Sequence, residues 1–433
     1  MFAQTAKVYF LHIPRTSGTS LRYWLWDSFA VDDLLECHHL PNLYSTDRAL
    51  INRARLYSGH FGIRLWDLLP HRPLTLTFLR DPEKRVRSEI MYLLTRSDEE
   101  IRDFGSHTWA DRSYFELVAS GDMKQVFGSK LYNDAFANMH VRFLGGQPPD
   151  GSLNPVSGTT YDLARQTLEK LDAFGIVERM PESLLMFCER LQWPPRITMP
   201  RMNEVQGSGP SEFAQALNEA TPKILETNIW DLRLYEFARE LFAYRVDLLR
   251  SELGLHEKDN SDDGSGIDAM KSAIRGRFLD SRFSGPPLRH GRATPAADLF
   301  HDGWAERAYW PPIKRWLRWN GEREISTLYL PLDRTNEMRI RFELFYPSEP
   351  NLPGELRFCA DGTEVELVRM DIKEDKDIYF HAFEGVLPAA PRTVAKSWTV
   401  LTLMVPSGGA DQTNALPNGT TPRKFALANV DFF

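Results

Sequence analysis

The segment His12-Ile13-Pro14-Arg15-Thr16-Ser17-Gly18-Thr19-Ser20-Leu21 lies between an apolar run and a helical pattern. A glycine turn leading into a helix N-terminus presents backbone N–H groups, and those groups together with the helix dipole favour an anion. Arg15 adds a full positive charge, and Thr16, Thr19 and Ser20 add hydroxyl donors. The set suits a phosphate. A second segment, Leu79-Arg80-Asp81-Pro82-Glu83-Lys84-Arg85-Val86-Arg87-Ser88-Glu89, also follows an apolar run and enters a helix. Arg80 falls at the strand end and Ser88 two turns into the helix. An arginine and a hydroxyl can both ligate one phosphate. The Gly-x-x-x-x-Gly-Lys-Ser/Thr loop of ATP- and GTP-binding proteins is absent.

The first segment resembles the 5′-phosphosulfate loop of carbohydrate sulfotransferases. Enzymes of the heparan sulfate 2-O- and 6-O-sulfotransferase class, and related bacterial enzymes, carry a similar His-Ile-Pro-Lys-Thr-x-Gly-Thr-Ser stretch. The match departs at Arg15, where that family has lysine; a guanidinium keeps the charge but does not readily donate a proton. The second segment resembles the family's 3′-phosphate motif, an Arg-Asp-Pro-x-x-Arg stretch followed by a serine. The resemblance therefore implies 3′-phosphoadenosine 5′-phosphosulfate (PAPS) as donor. Arg15, Thr16, Ser17, Gly18, Thr19 and Ser20 would hold its 5′-phosphosulfate, and Arg80 and Ser88 its 3′-phosphate. Tyr57-Ser58-Gly59-His60-Phe61-Gly62 resembles the segment that supplies the catalytic base of the 6-O enzymes, so His60 is the expected base and Arg15 the expected partner of the leaving phosphate. Sulfuryl transfer needs such a base, because a sugar hydroxyl is a poor nucleophile until its proton is removed, and a neutral imidazole can take that proton.

Further stretches fit the same family: Asn138–Gly146, Phe174–Glu178 with Pro181-Glu182-Ser183, Asn203, and Asp231–Phe237. The resemblance covers about the first 250 residues. Read on their own, several of these residues have plainer roles. His12 is expected to support the loop, Glu178 to fix structure, and His38 and His39, being adjacent, to face different ways. Arg142 is balanced between a structural ion pair and an anion contact.

The elements that must position these residues read clearly. Strands are expected at 7–12, 56–61, 74–79 and near 174–178, the third rich in apolar and β-branched residues that suit a buried parallel strand. Thr19 and Ser20 open one helix, and Asp81-Pro82 opens another with Pro82 in its first turn. Helices are expected near 111–120, 129–143, 160–172, 181–191 and 229–253. The pattern predicts a three-layer α/β fold around a central parallel sheet, which the resemblance makes P-loop-like.

The chain has 433 residues, which at roughly 150 per domain predicts two or three domains. Hydrophobic residues at 42% and charged residues at 26% are ordinary for a globular protein. A net charge of −7 argues against a general nucleic-acid binder. Cys37, Cys188 and Cys359 are too few and too scattered for a disulfide framework or a zinc site, and no residue set calls for a metal. With no apolar run of membrane-spanning length and no signal-peptide core, a cytoplasmic location is expected.

Residues 1–255 read as the sulfotransferase domain, 256–297 as a polar linker, and 298–433 as an antiparallel β-sandwich of short alternating strands. The sandwich loosely resembles modules appended to bacterial glycan-modifying enzymes. Its aromatic residues Trp304, Tyr309, Trp310, Trp316 and Trp319 are expected in packing rather than as a sugar platform. The sequence reading is thus a PAPS-dependent O-sulfotransferase acting on a carbohydrate or another hydroxyl-bearing acceptor. The alternatives are a P-loop-type kinase of a small hydroxyl substrate and a non-catalytic glycan-binding protein.

Overall fold

The computed structural model describes residues 6–35, 37–94, 112–147, 155–199, 211–255, 265–281, 287–296, 300–311, 314–320, 325–346, 356–370, 373–375, 378–390, 398–404 and 425–433. Strands β1 (Val8–Leu11), β2 (Leu56–Gly59), β3 (Leu74–Leu79) and β4 (Ala173–Ile176) form a sheet in the order β2-β1-β3-β4. Every pairing in it is parallel.

Alternation along β1 builds the layers. Tyr9 and Leu11 enter one core, with Val86 and Ile90 from the helix Pro82–Leu94 and Leu234 and Phe242 from the helix Ile229–Glu252. Val8 and Phe10 enter the opposite core, with Leu21 and Trp24 of helix α1 (Gly18–Trp26) and Phe187 of the helix Met180–Leu191. A parallel sheet covered by helices on both faces has no wet side, which is why its strands read as apolar runs. The functional segments fall at the C-terminal ends of β1, β2 and β3.

Two helical expectations are corrected. The span 129–143 is divided into a π-helical turn Tyr132–Phe136 and the helix Met139–Leu144, and a separate helix Met123–Gly128 ends before it begins. The break is at Asn138, which has a φ of 57°. Its side-chain oxygen accepts from the amides of Trp230 (3.0 Å) and Asp231 (3.1 Å), capping the helix Ile229–Glu252. Asp231 returns the bond by accepting from the amides of His140 (3.1 Å) and Val141 (2.9 Å). Each helix start is thus capped by a residue of the other. Second, the span expected as linker contains the helix Ser265–Asp280, whose Met270, Ile274 and Phe278 lie buried at four-residue spacing. The polar run 256–264 and Asn203 lie outside the described residues.

The C-terminal part is antiparallel. Its strands are β5 (Gly291–Ala293), β6 (Phe300–Asp302), β7 (Trp304–Trp310), β8 (Arg315–Asn320), β9 (Ile325–Leu330), β10 (Met338–Tyr346) and β11 (Arg357–Ala360). They continue with β12 (Thr363–Glu364), β13 (Val368–Arg369), β14 (Lys373–Asp375), β15 (Ile378–Leu387), β16 (Thr399–Met404) and β17 (Ala426–Phe432). One sheet runs β13-β15-β10-β17-β8-β7 and the other β12-β11-β16-β9-β6. Ile340, Phe342 and Leu427 of the first share a core with Leu328, Leu401 and Phe358 of the second.

The two parts meet at the C-terminal end of α1. Trp24, Phe29 and Trp193 pack in one cluster with Phe278, Phe300, Tyr329 and Trp398. Within this apolar contact Asp27 is buried, with Arg318 of β8 (2.5 Å), His301 of β6 (2.5 Å) and Arg196 (3.3 Å) around its carboxylate. Burial opposes ionisation of Asp27, but Arg318, His301 and Arg196 outweigh it and hold the carboxyl well below its ordinary range. With two guanidinium groups already present, burial and Arg318 push His301 down to about 4, so it stays neutral. Among the described residues no helix is long and apolar enough to cross a membrane.

Candidate active site

The loop after β1 is held in an unusual backbone conformation. Arg15 and Ser17 both have positive φ, 65° and 61°. Thr16 is buried, and its hydroxyl donates to the carbonyl of Ile13 at 2.8 Å, closing the turn. Ser17 stands at the N-cap of α1 without a side-chain cap bond, and no acidic residue occupies the first turn. That helix start therefore keeps its positive end uncompensated by carboxylate. Gly18 is required by packing: a Cβ there would stand 1.7 Å from Nε2 of His12, whose ring covers the helix start. The support role expected of His12 is thus visible in its contacts. Thr19 and Ser20 occupy the same first turn and are half-buried.

The second segment meets the first. Arg15 donates through Nε and Nη2 to the hydroxyl of Ser88, both at 3.2 Å. Its guanidinium also lies over the ring of Tyr92, 4.3 Å from the centroid. Arg80, at the end of β3, donates through Nη1 to the carbonyl of Arg15 at 3.2 Å. Arg80 Nε is buried with no hydrogen-bond partner among the described residues. Arg15, Arg80 and Ser88, 73 positions apart at the extremes of this triangle, are thereby joined. Asp81 caps the helix that carries Ser88, accepting from the amide of Lys84 at 3.0 Å.

Other residues hold this frame. Glu178 accepts from the amide of Asp81 (3.2 Å) and from the hydroxyl of Tyr235 (2.7 Å). His140, fully buried, faces Asp231 through Nδ1 at 3.3 Å, and its Nε2 accepts from the amide of Arg80 at 3.5 Å. Arg142 donates to the carbonyls of Ala137 (2.8 Å) and Asn133 (3.1 Å), a structural use of its guanidinium. Arg85 is buried against Glu89 at 2.5 Å.

His60 follows β2 and stands next to the loop. Its Nδ1 lies 2.8 Å from the carbonyl of His12. A carbonyl only accepts, so Nδ1 carries the proton and Nε2 keeps its lone pair, the tautomer a base requires. The ring lies against His12 (centroids 4.3 Å apart) and His39 (5.5 Å). Burial first, then the charge of His39, pushes His60 down to about 3, so it is unprotonated at neutral pH. The sequence left Tyr92, Arg22 and the approach of His38 and His39 unassigned. Tyr92 was findable as the residue one helical turn beyond Ser88. The histidine pair needed the parallel bridge His39↔His60, which only the fold reveals.

This arrangement brings the carboxylate-free start of α1 together with two arginines, with a neutral imidazole alongside. Chemically it can hold a doubly charged anion and take one proton. No family model matches the chain, and no curated protein matches it.

Proposed function

We propose that this protein is a sulfotransferase that moves a sulfuryl group from PAPS to a hydroxyl, most simply of a carbohydrate. The observation that carries the reading is the joining of Arg15, Arg80 and Ser88 through direct hydrogen bonds at the ends of β1 and β3. Two phosphate sites side by side at these strand ends are what a 3′,5′-bisphosphate nucleotide needs. The start of α1 with Arg15 takes the 5′-phosphosulfate, and Arg80 with Ser88 takes the 3′-phosphate.

The reaction is a displacement at sulfur. The acceptor oxygen forms a bond to sulfur as the bond from sulfur to the phosphate oxygen breaks. The proton of the acceptor hydroxyl passes to Nε2 of His60, and the leaving phosphate keeps the electron pair. Bound phosphosulfate places negative charge beside His60 and raises its basicity from the depressed value of the unliganded site. Arg15 and the helix start meet the charge that develops on the leaving phosphate. Positioning and fixed electrostatics supply most of the acceleration.

Calorimetry with 3′-phosphoadenosine 5′-phosphate and with AMP tests the donor. The bisphosphate should bind at least tenfold more tightly, and Arg80→Ala should remove most of the difference. Equal affinities in the parent, or a preference for ATP with transfer of phosphate, would sink the assignment.

A further inference from the structure

A line of rings and guanidinium groups starts at His60 and ends on the C-terminal sheet. The amide of His60 donates to the carbonyl of His38 at 2.7 Å. Nη1 of Arg22, one turn into α1, lies 2.8 Å from Nε2 of His38. The Arg22 guanidinium stands over Trp26 (4.7 Å) and Tyr23 (5.4 Å). Arg307 of β7 then donates to the carbonyl of Trp26 at 2.7 Å and lies over Trp316 of β8 at 5.6 Å. Trp316 packs against Tyr309, with centroids 5.4 Å apart.

The register explains why the line crosses between the two parts. Arg307 pairs with Arg318, and Tyr309 with Trp316. Cross-strand partners share a face, as do residues two apart. Arg318, which grips Asp27, therefore stands on the same face of the hairpin as Tyr309 and Trp316. The hairpin clasps the end of α1 with its inner part and carries the two rings beyond it. Tyr309 is 46% exposed, against 7% for Trp304 and 3% for Trp319, so the aromatic residues of this region divide between packing and surface.

Arg22 says what the line accommodates. It is half-buried, its partners are the rings of His38 and Tyr23, and among the described residues no carboxylate ion pair reaches it. A half-buried cation in that state suits an anionic group from outside. Rings in a line suit sugars, whose C–H faces stack on them; Arg307, which donates to the carbonyls of Trp26, Pro295 and Ala296, holds the line together. From Arg22 to Trp26 the helix advances ~6 Å, and from Arg307 to Tyr309 the strand advances ~7 Å. The line is therefore longer than one sugar ring.

Resting on the sulfotransferase reading, we propose that this line is an acceptor track. It takes an oligosaccharide several sugars long, with an acidic group beside Arg22 and its reacting hydroxyl at His60. The distant sugars stack on Trp316 and Tyr309, which makes the C-terminal part an acceptor-binding element. Single-stranded nucleic acid uses similar stacking chemistry, but a net charge of −7 disfavours it.

The test uses the full chain and titrates galacturonate oligomers from dimer to octamer, neutral malto-oligosaccharides of matching length, and oligouridylate. Affinity for the galacturonates should rise with length. The Trp316→Ala/Tyr309→Ala variant should lose roughly tenfold for the octamer and nothing for the dimer. Arg22→Gln should weaken the acidic series and leave the neutral one unchanged. Affinity for 3′-phosphoadenosine 5′-phosphate, measured on the same ring variant, should equal the parent's. No length dependence, no saccharide binding by the parent, or tighter binding of oligouridylate each overturns the track. Saccharide binding that rises with length in a parent unable to bind the nucleotide would instead overturn the sulfotransferase reading and leave the track standing.

Discussion

Arg318 closes on Asp27 from 291 positions away, with Nη1 to Oδ1 at 2.5 Å and Nη2 to the backbone carbonyl at 3.1 Å. Asp27 ends the helix that begins at the phosphate loop, so the C-terminal sheet holds one end of α1 and the candidate donor site occupies the other. Removing one partner of a buried ion pair leaves an uncompensated charge and costs about 3–5 kcal/mol. Arg318→Met should therefore lower the free energy of unfolding, read from urea denaturation of the whole chain, by an amount in that range. A loss below about 1 kcal/mol would show that the pair is dispensable.

His60 and Arg15 should separate chemistry from binding. His60→Ala should keep nucleotide affinity and lose transfer by about 10²–10⁴-fold, the usual effect of removing a general base. Arg15→Ala should weaken donor binding and slow transfer together, because its charge serves donor and leaving group alike. Turnover and nucleotide affinity measured on one His60→Ala sample decide the matter. Transfer within a few-fold of the parent would transfer the base role to another group.

Gly18→Ala should disorder the loop, because the new Cβ meets the ring of His12. Overpacking of this kind costs about 1–3 kcal/mol. The double variant His12→Ala/Gly18→Ala removes the clash and should recover much of the lost thermal stability. Gly18→Ala melting at the parent's temperature would contradict the packing described.

Acidification should weaken the fold well before the carboxylates titrate. His301 is held neutral down to about 4, whereas in the unfolded chain it takes a proton near its ordinary value of 6.5. Between those limits the unfolded state binds the extra proton, so stability falls as pH falls, by about 1.4 kcal/mol per pH unit for each such histidine. His60, held neutral down to about 3, acts in the same direction. The depressed Asp27 carboxyl acts in a lower window, its contribution being present above ~3.9 and lost below it. The urea midpoint should drop between pH 7 and pH 4.5, and His301→Gln should flatten the decline. A midpoint constant over that interval would refute the neutral assignment.

What the sequence revealed was local. β1, β3 and β4 were legible as short apolar runs and β2 as a short stretch ending on a turn former, and the loop at 12–20 because its hydroxyls, glycine and arginine are contiguous. The break at Asn138 was not, since the residues around it keep helical spacing while the bonds that turn the chain come from Trp230 and Asp231. The helix Ser265–Asp280 was hidden by Gly266, Gly276 and the polar run before it, and it is stabilised by burial of Met270, Ile274 and Phe278. The surroundings of Asp27 could not be read at all, because Arg196 and Arg318 come from 169 and 291 positions downstream.

That last separation carries a consequence for biosynthesis. Asp27 leaves the ribosome long before Arg318 exists, and at ~5–20 residues per second the interval is roughly 15–60 s. During it, the carboxylate at the tail of α1 gains Arg196 partway but still lacks Arg318, and the indoles of Trp24 and Trp193 lack their cover from Trp398. Until the last strands arrive, the tail of α1 keeps that side open to water, while the sheet itself is already covered by its own helices.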